Sequence, residues 1–209
     1  MTVIVTAGPT REYLDPVRFL SNPSTGKMGF AIAAEAARRG FSTTLVAGPV
    51  SLKTPNGVHR IDVVTAREML AATRRAVESG RGRIVLIATA AVADWRPALC
   101  ARRKLKKSEM PNTLRLVRNP DILKSLSRRP IVRVGFAAET SDNLDEALRK
   151  CREKRLSFVV ANDVTEYGCG FGTDTNRVSF VFPDGRVVRF PLTTKRAVAR
   201  RILGAVSRL

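Results

Sequence analysis

Residues 2–40 read TVIVTAGPTREYLDPVRFLSNPSTGKMGFAIAAEAARRG. The stretch opens with a strand-type run, Thr2 to Ala7, whose unbroken Val3-Ile4-Val5 suits a strand buried on both faces. It closes with an alanine-rich helix that begins at about Lys27 and stops at Gly40, a C′-type glycine after Arg38 and Arg39. The loop between them is far longer than the roughly 2–6 residues usual for a βα connection. Its last part, Arg18-Phe-Leu-Ser-Asn-Pro-Ser-Thr-Gly-Lys-Met-Gly-Phe30, concentrates Asn, Ser, Thr, Gly and Lys. Hydroxyls, backbone N–H groups and one ammonium thus meet the positive end of a helix dipole, which is a site for phosphate or carboxylate.

Outward from this unit, strand and helix signals keep alternating. Strands are expected at Thr43–Ala47, Ile61–Val64, Ile84–Ala88, Val132–Phe136 and Phe158–Ala161. Thr65-Ala-Arg-Glu68 is a capping box, after which Met69, Ala72, Ala76 and Val77 keep helical spacing to Gly80. Thr113 to Val117 alternates like a half-exposed strand, and Asn119-Pro-Asp opens a short helix. Leu144, Ala147, Leu148 and Cys151 form an apolar helical stripe. Val178–Phe182 and Val187–Leu192 flank Pro183-Asp-Gly185 as a hairpin, and a final amphipathic helix runs from about Lys195 to Leu209. The pattern predicts an α/β fold in one domain, 1–209: a mostly parallel sheet with helices on both faces, an antiparallel hairpin at one edge, and an arm at about 99–118.

Composition narrows the function. A hydrophobic content of 44% supports a true core, and no apolar run reaches the ~20 residues of a membrane span. Met1 leads directly into a strand, without a signal-peptide pattern. Cys100, Cys151 and Cys169 lack metal-ligand spacing and His59 is the only histidine, so structural zinc and a disulfide framework are disfavoured and a reducing cytoplasm is expected. With 37 Lys+Arg against 18 Asp+Glu, the net charge is +19. That excess suits either a nucleic-acid surface or a pocket for polyanionic small molecules. Arg38–Arg39, Arg74–Arg75 and Arg200–Arg201 read as helix-face pairs, some of them complementing helix dipoles.

In open α/β sheets ligands bind beyond the carboxyl ends of the strands. There the sequence places Gly8-Pro9-Thr10-Arg11, Ser21 to Gly29, Gly48-Pro49, Thr89 to Asp94, Phe136 to Thr140, and Asn162-Asp163. The first loop lacks the G-x-G-x-x-G of dinucleotide sites, and Ser24-Thr-Gly-Lys27 lacks the upstream glycine and following Ser or Thr of a Walker A loop. An NAD(P) oxidoreductase is therefore the weaker enzymatic reading, and a basic nucleic-acid-binding module the alternative from charge. Lys104, Lys106 and Lys107 make either a solvated basic arm or a cationic reach toward a phosphate. Lys150 and Lys154, spaced i, i+4 on one helix face with Glu146 four before Lys150, make either an ion-pair ladder or a clamp on a triphosphate.

Taken in order, these residues resemble the phosphopantothenate–cysteine ligase family, the ligase half of bifunctional coenzyme A biosynthesis flavoproteins. The resemblance covers nearly the whole chain. It rests on Ala7-Gly-Pro-Thr-Arg-Glu12, Asp15-Pro-Val-Arg18, Ser21-Asn22 with Ser24, Gly26-Lys-Met-Gly29 and Ala90-Ala-Val-Ala-Asp94. It continues in Lys104-Leu-Lys-Lys107, Val117-Arg-Asn-Pro-Asp-Ile122, Gly135-Phe-Ala-Ala-Glu-Thr140 and Ala161-Asn-Asp163. Pro23 stands where the family often has histidine, Thr25 where serine is common, and Trp95 where Tyr or Phe is usual.

The resemblance implies a Rossmann-like fold with a dimerisation arm, hence a homodimer. It also implies a two-step reaction on 4'-phosphopantothenate, CTP and L-cysteine, with Mg²⁺ carried by the triphosphate. The acid's carboxylate attacks the α-phosphate of CTP and releases pyrophosphate; the amine of cysteine then displaces CMP from the acyl cytidylate. By position, Asn22 and Lys104 take the catalytic roles. The CTP set is Ala88, Thr89, Ala90, Asp94, Lys104, Asn119, Pro120, Asp121, Ile122, Phe136, Lys150 and Lys154. The phosphopantothenate set is Asn22, Ser24, Gly26 and Lys27. Eukaryotic relatives use ATP and prokaryotic ones CTP, and the Ala90–Asp94 and Lys104–Lys107 patterns match the prokaryotic form. No flavin is expected here, the chain being either a stand-alone ligase or an excised domain, and a separate flavin-dependent decarboxylase is the partner expected in the first case.

Overall fold

A computed structural model describes residues 1–109, 112–139, 144–163 and 165–209. Thr140, and residues 110–111 of the expected arm, lie outside the described residues. In chain order the strands are β1 Thr2–Ala7, β2 Arg11–Tyr13, β3 Phe19–Ser21, β4 Ser42–Ala47, β5 Val58–Asp62, β6 Ile84–Ala88 and β7 Trp95–Pro97. They continue as β8 Leu116–Arg118, β9 Val132–Glu139, β10 Phe158–Asp163, β11 Thr175–Asn176, β12 Ser179–Val181, β13 Val187–Arg189 and β14 Thr193–Thr194. The helices are α1 Lys27–Arg38, α2 Ala66–Ser79, α3 Ile122–Ser125, α4 Asp145–Glu153 and α5 Lys195–Ser207.

The main sheet has eight strands in the order β13-β12-β10-β9-β6-β1-β4-β5. Its six strands from β5 to β10 are parallel, and the β12–β13 hairpin adds the expected antiparallel edge. Read by chain order, the parallel strands run 3-2-1-4-5-6, the doubly wound arrangement whose order reverses between β1 and β6. One face packs on α1 and α5 through Val3, Val5, Ile32, Phe158 and Ile202. The other packs on α2, α3 and α4 through Ile4, Met69, Leu86, Leu126 and Cys151. Alternate residues of one strand therefore feed two cores, which is why Val3-Ile4-Val5 is apolar without interruption.

Helix α2 forms as its capping box predicts: Thr65 Oγ1 accepts from Glu68 N–H at 3.2 Å and Glu68 Oε2 accepts from Thr65 N–H at 3.4 Å. Gly29 lets α1 approach β1 closely, since a Cβ there would lie 2.5 Å from both Ala7 Cβ and Thr89 Oγ1.

Several expectations need correction. The stretch read as an uninterrupted first loop folds into the β2–β3 hairpin, tied to α2 by Glu12 Oε1, which accepts from Ala66 N–H at 2.9 Å. The strand expected at Ile61–Val64 is β5, Val58–Asp62; as a sheet edge it tolerates His59 and Arg60. The strand expected at Thr113–Val117 is β8, and it pairs with the unforeseen β7. Helix α5 ends at Ser207, and Leu144 stands at the N-cap of α4 while packing, with Ala147, Leu148 and Cys151, on the core as the stripe predicts. Arg74–Arg75 and Arg200–Arg201 lie in mid-helix, so of the named pairs only Arg38 sits in a last turn.

The expected arm is tied to the rest of the domain at Ala101 and Leu105. Ala101 N–H donates to Leu14 O at 2.8 Å, and Leu105 N–H donates to Asp15 Oδ2 at 3.2 Å. Asp15 is fully buried and also accepts from the N–H groups of Val17 and Arg18, each at 2.8 Å. Burial pushes its carboxyl up, but those three N–H bonds and the Arg18 guanidinium outweigh it and hold the group below its ordinary value. Val17, Phe19, Trp95, Leu99, Leu114 and Leu116 leave an exposed apolar surface on these two hairpins and the arm. Among the described residues no helix is long and apolar enough to cross a membrane.

Candidate active site

At the switch between β1 and β6 the strand ends open into a cavity of about 570 Å³. Its lining draws on both faces of the sheet. From the α1/α5 face come Asn22, Ser24, Gly26, Lys27, Phe171, Asn176 and Lys195; from the α3/α4 face come Asn119, Pro120, Asp121, Ile122, Lys150 and Lys154. The strand ends supply Thr6, Ala88, Thr89, Ala90, Asp94, Phe136 and Asn162 between them. All the residues assigned above to the catalytic, CTP and phosphopantothenate sets line this cavity except Lys104, while Gly8–Arg11 and Gly48-Pro49 of the wider rim do not. Lys104 is exposed on the arm and does not line the cavity, because Leu105 is held on Asp15 next to the first hairpin.

The α1 side is built to receive an anion. Gly26, the N-cap of α1, has φ +78°, a left-handed conformation that glycine adopts without strain, and supplies no side-chain cap. No acidic residue stands in the first turn, so the N-terminal N–H groups keep their partial positive charge toward the cavity. Asn22 Nδ2 donates to Ala91 O at 3.3 Å and Val92 O at 3.2 Å, which fixes the carboxamide beside the β6 end and leaves its Oδ1 as an available acceptor. The backbone around it is locked by Thr10, whose Oγ1 accepts from Ala93 N–H at 3.0 Å.

The α3/α4 side supplies cations already matched to carboxylates. Lys154 Nζ lies 2.7 Å from Asp121 Oδ2, and Lys150 Nζ lies 3.6 Å from Glu146 Oε1. Asp121 also caps α3, its Oδ1 accepting from Lys124 N–H at 2.9 Å. Arg149, then Lys150, hold the Glu146 carboxyl down to about 2. Asn119 Nδ2 donates to Ala93 O at 2.8 Å, joining this side to the loop after β6.

A strap, residues 170–174, crosses the α1 side, and the sequence reading did not find it. Lys27 Nζ donates to Gly172 O at 2.8 Å and pairs with Asp174 Oδ1 at 2.7 Å, so the lysine expected to meet substrate is bound to the strap. That pairing holds Asp174 below its ordinary value. Lys195 Nζ donates to Gly170 O at 2.8 Å and Thr173 O at 2.6 Å; burial, and then Lys27, push it below the ordinary lysine value. The glycines at 168, 170 and 172 were the one local signal of such a segment.

Among the described residues, no cluster of three or more His, Cys, Asp or Glu could hold a metal ion. Among the described residues the cavity's carboxylates are Asp94 and Asp121, fewer than the oxygen ligands a hard cation takes.

The model of the family described as DNA/pantothenate metabolism flavoprotein C-terminal domain matches residues 1–209. The Coenzyme A biosynthesis bifunctional protein CoaBC of Escherichia coli (strain K12) is 46% identical over 213 residues, covering 99% of this chain and 51% of that protein. The protein of the same name from Bacillus subtilis (strain 168) is 43% identical over 210 residues, again covering 99% of this chain and 51% of the relative. A crystal structure of the C-terminal domain of CoaBC superposes with a TM-score of 0.81 at 39% identity, covering 98% of this chain and 93% of that one. The chain thus spans about half the length of the curated relatives it matches.

Proposed function

This chain belongs to the DNA/pantothenate metabolism flavoprotein C-terminal domain family, and from that premise we propose that it is a phosphopantothenate–cysteine ligase of coenzyme A biosynthesis that activates its acid with CTP. The single observation that carries the reading is the two-sided cavity. It sets an uncapped helix N-terminus and Asn22 across from Lys150 and Lys154, over the reversal of a doubly wound sheet. Two anions that repel each other need such a cationic enclosure before they can react.

In this reading CTP lies on the α3/α4 side. Lys150 and Lys154 exchange Glu146 and Asp121 for phosphate oxygens, and Asp94 and Phe136 hold the nucleoside. 4'-Phosphopantothenate lies on the α1 side with Ser24 and Gly26, its carboxylate near Asn22. Attack of that carboxylate on the α-phosphate forms the acyl cytidylate and expels pyrophosphate, which keeps its negative charge on the lysine side. In the second step the amine of cysteine attacks the acyl carbon and CMP leaves. Asn22, with its donors engaged by Ala91 O and Val92 O, presents Oδ1 to an amine proton of the incoming cysteine. Mg²⁺ carried by the triphosphate would offset its charge; no ligand cluster for it stands among the described residues.

Lys104, outside its own cavity, serves a second copy of the chain. The apolar surface formed by Phe19, Trp95, Leu99 and Leu116 beside the arm is where that copy docks, giving a homodimer. A flavin-dependent decarboxylase, fused or separate, accompanies it. The reaction belongs to the cytoplasm.

The test is pyrophosphate release from the purified protein with CTP, Mg²⁺, cysteine and phosphopantothenate. Release that requires phosphopantothenate supports the reading, and its absence overturns it. ATP turning over as well as CTP at equal concentration would remove the nucleotide assignment alone.

A further inference from the structure

One contact between the first hairpin and the arm has no part in the reaction described above. Asp15 is fully buried, and its two oxygens serve two different elements. Oδ1 accepts from the N–H groups of Val17 and Arg18, each at 2.8 Å, and so shapes the turn between β2 and β3. Oδ2 accepts from Leu105 N–H at 3.2 Å and lies 3.3 Å from Arg18 Nη1. Arg18 Nη2 in turn donates to Leu105 O at 3.2 Å. The ion pair therefore grips both backbone groups of one arm residue. The turn alone needs a single side-chain oxygen, which Asn or Ser supplies without a buried charge. The second oxygen is accounted for by the arm.

The gripped residue is the neighbour of Lys104. Before it in the chain, Ala101 N–H donates to Leu14 O at 2.8 Å, at the same turn. After it, Glu109 accepts from Lys106 N–H at 2.8 Å and pairs with Arg103 through both oxygens, each at 2.9 Å. Lys104 is thus an exposed side chain on a backbone fixed on either side. The lysine stem is flexible, so its ammonium meets a phosphate on another chain only when the backbone stands at the right reach. A basic arm that only met solvent would need no buried carboxylate at its root.

Resting on the reading that Lys104 serves a second copy of the chain, the geometry points to Asp15 as a positioning residue for the first half-reaction: through Leu105 it holds the arm where Lys104 reaches the phosphate in that copy's cavity. Asp15 itself touches no substrate.

Asp15→Asn separates the two oxygens. Its carbonyl keeps the bonds from the Val17 and Arg18 N–H groups, while its NH₂ faces Leu105 N–H and the Arg18 guanidinium, donor against donors. Asp15→Ser keeps one acceptor for the turn and drops the arm contact without adding a donor. Both should release pyrophosphate about ten- to a hundredfold more slowly than wild type at saturating CTP and phosphopantothenate. Cysteine adduct formed per pyrophosphate released should stay at the wild-type ratio, because Asn22 keeps its own anchors on Ala91 O and Val92 O. In a Lys104→Ala protein, adding Asp15→Asn should change the rate by less than about twofold, since the lysine it positions is already gone.

Wild-type pyrophosphate release by both variants overturns the proposal. So does a loss that multiplies with that of Lys104→Ala, the mark of a general structural defect. A lowered ratio of adduct to pyrophosphate would mean that Asp15 acts through Asn22 instead, and failure of both variants to fold would make the carboxylate structural; either result overturns it. A wild-type protein that releases no pyrophosphate with all substrates present overturns the ligase reading itself, and the proposal with it.

Discussion

The Nζ of Lys154 lies 2.7 Å from Oδ2 of Asp121, and the same carboxylate caps helix α3 through its other oxygen. The lysine is thus held at the cavity wall by a group fixed to the backbone, ready to exchange one anion for another. Replacing it with methionine removes a charged contact to phosphate, a loss of about 1.5–3 kcal/mol. Lys154→Met should therefore weaken CTP binding by about ten- to a hundredfold. Calorimetry should also find a smaller salt dependence than in wild type, and unchanged phosphopantothenate binding.

Asn22 and Lys104 should separate the two half-reactions. Asn22→Ala should still release pyrophosphate but form little cysteine adduct, because the acceptor for the amine proton is gone. Lys104→Ala should be slow in pyrophosphate release itself. Parallel assays of pyrophosphate and of the cysteine adduct check both, and adduct formation at the wild-type rate by Asn22→Ala would remove its assigned role.

Acid should unfold the protein through identifiable carboxylates. Hydrogen bonds from Arg38 and then Arg39 outweigh burial and hold Glu35 down to about 2, and Asp15 is also held below its ordinary value. A carboxyl lowered in the folded state stabilises it fully above the unfolded value, and the contribution disappears as pH falls through the folded one. The melting temperature should therefore be flat near neutrality and drop between about pH 4.5 and 2. Glu35→Gln should start lower and show a shallower drop, as a thermal-melt series across that range would reveal.

Gly29→Ala tests how closely α1 must approach the sheet. The new methyl would meet Ala7 Cβ and Thr89 Oγ1 at 2.5 Å, neither of them the far end of a long side chain. Overpacking of this kind costs about 1–3 kcal/mol, readable in a urea titration. It also displaces the helix N-terminus, so phosphopantothenate affinity should fall together with stability.

Much of this architecture could be read before any coordinates. Val3-Ile4-Val5, the Thr65–Glu68 capping box and the Pro183–Gly185 turn are local signals, and each formed where expected. Of the cavity's lining, Thr89, Ala90, Asp94, Phe136 and Asn162 were legible because they follow strand ends in order, whereas Lys150 and Lys154 stood out only by their i, i+4 spacing and by the family resemblance. The β2–β3 hairpin was missed because its three-residue strands are too short to show a period. β7 was missed because a strand that ends in Pro97 signals poorly on its own. Asn176 and Lys195 reach the cavity wall only through the β11–β14 pairing, which no local pattern announces. The neutralisation of Lys27 by Asp174, far along the chain, is likewise a product of the fold.

The place of Lys104 outside its own cavity has a genetic consequence. If each reaction centre borrows that ammonium from a neighbour, a polypeptide lacking Lys104 and one lacking Lys154 fail for different reasons. Mixed and allowed to exchange subunits, the two dead proteins should assemble hybrids with one whole centre apiece. About a quarter of all centres should revive, the proportion set by random pairing in a two-fold assembly. Alleles of such a gene would complement one another inside a single cell.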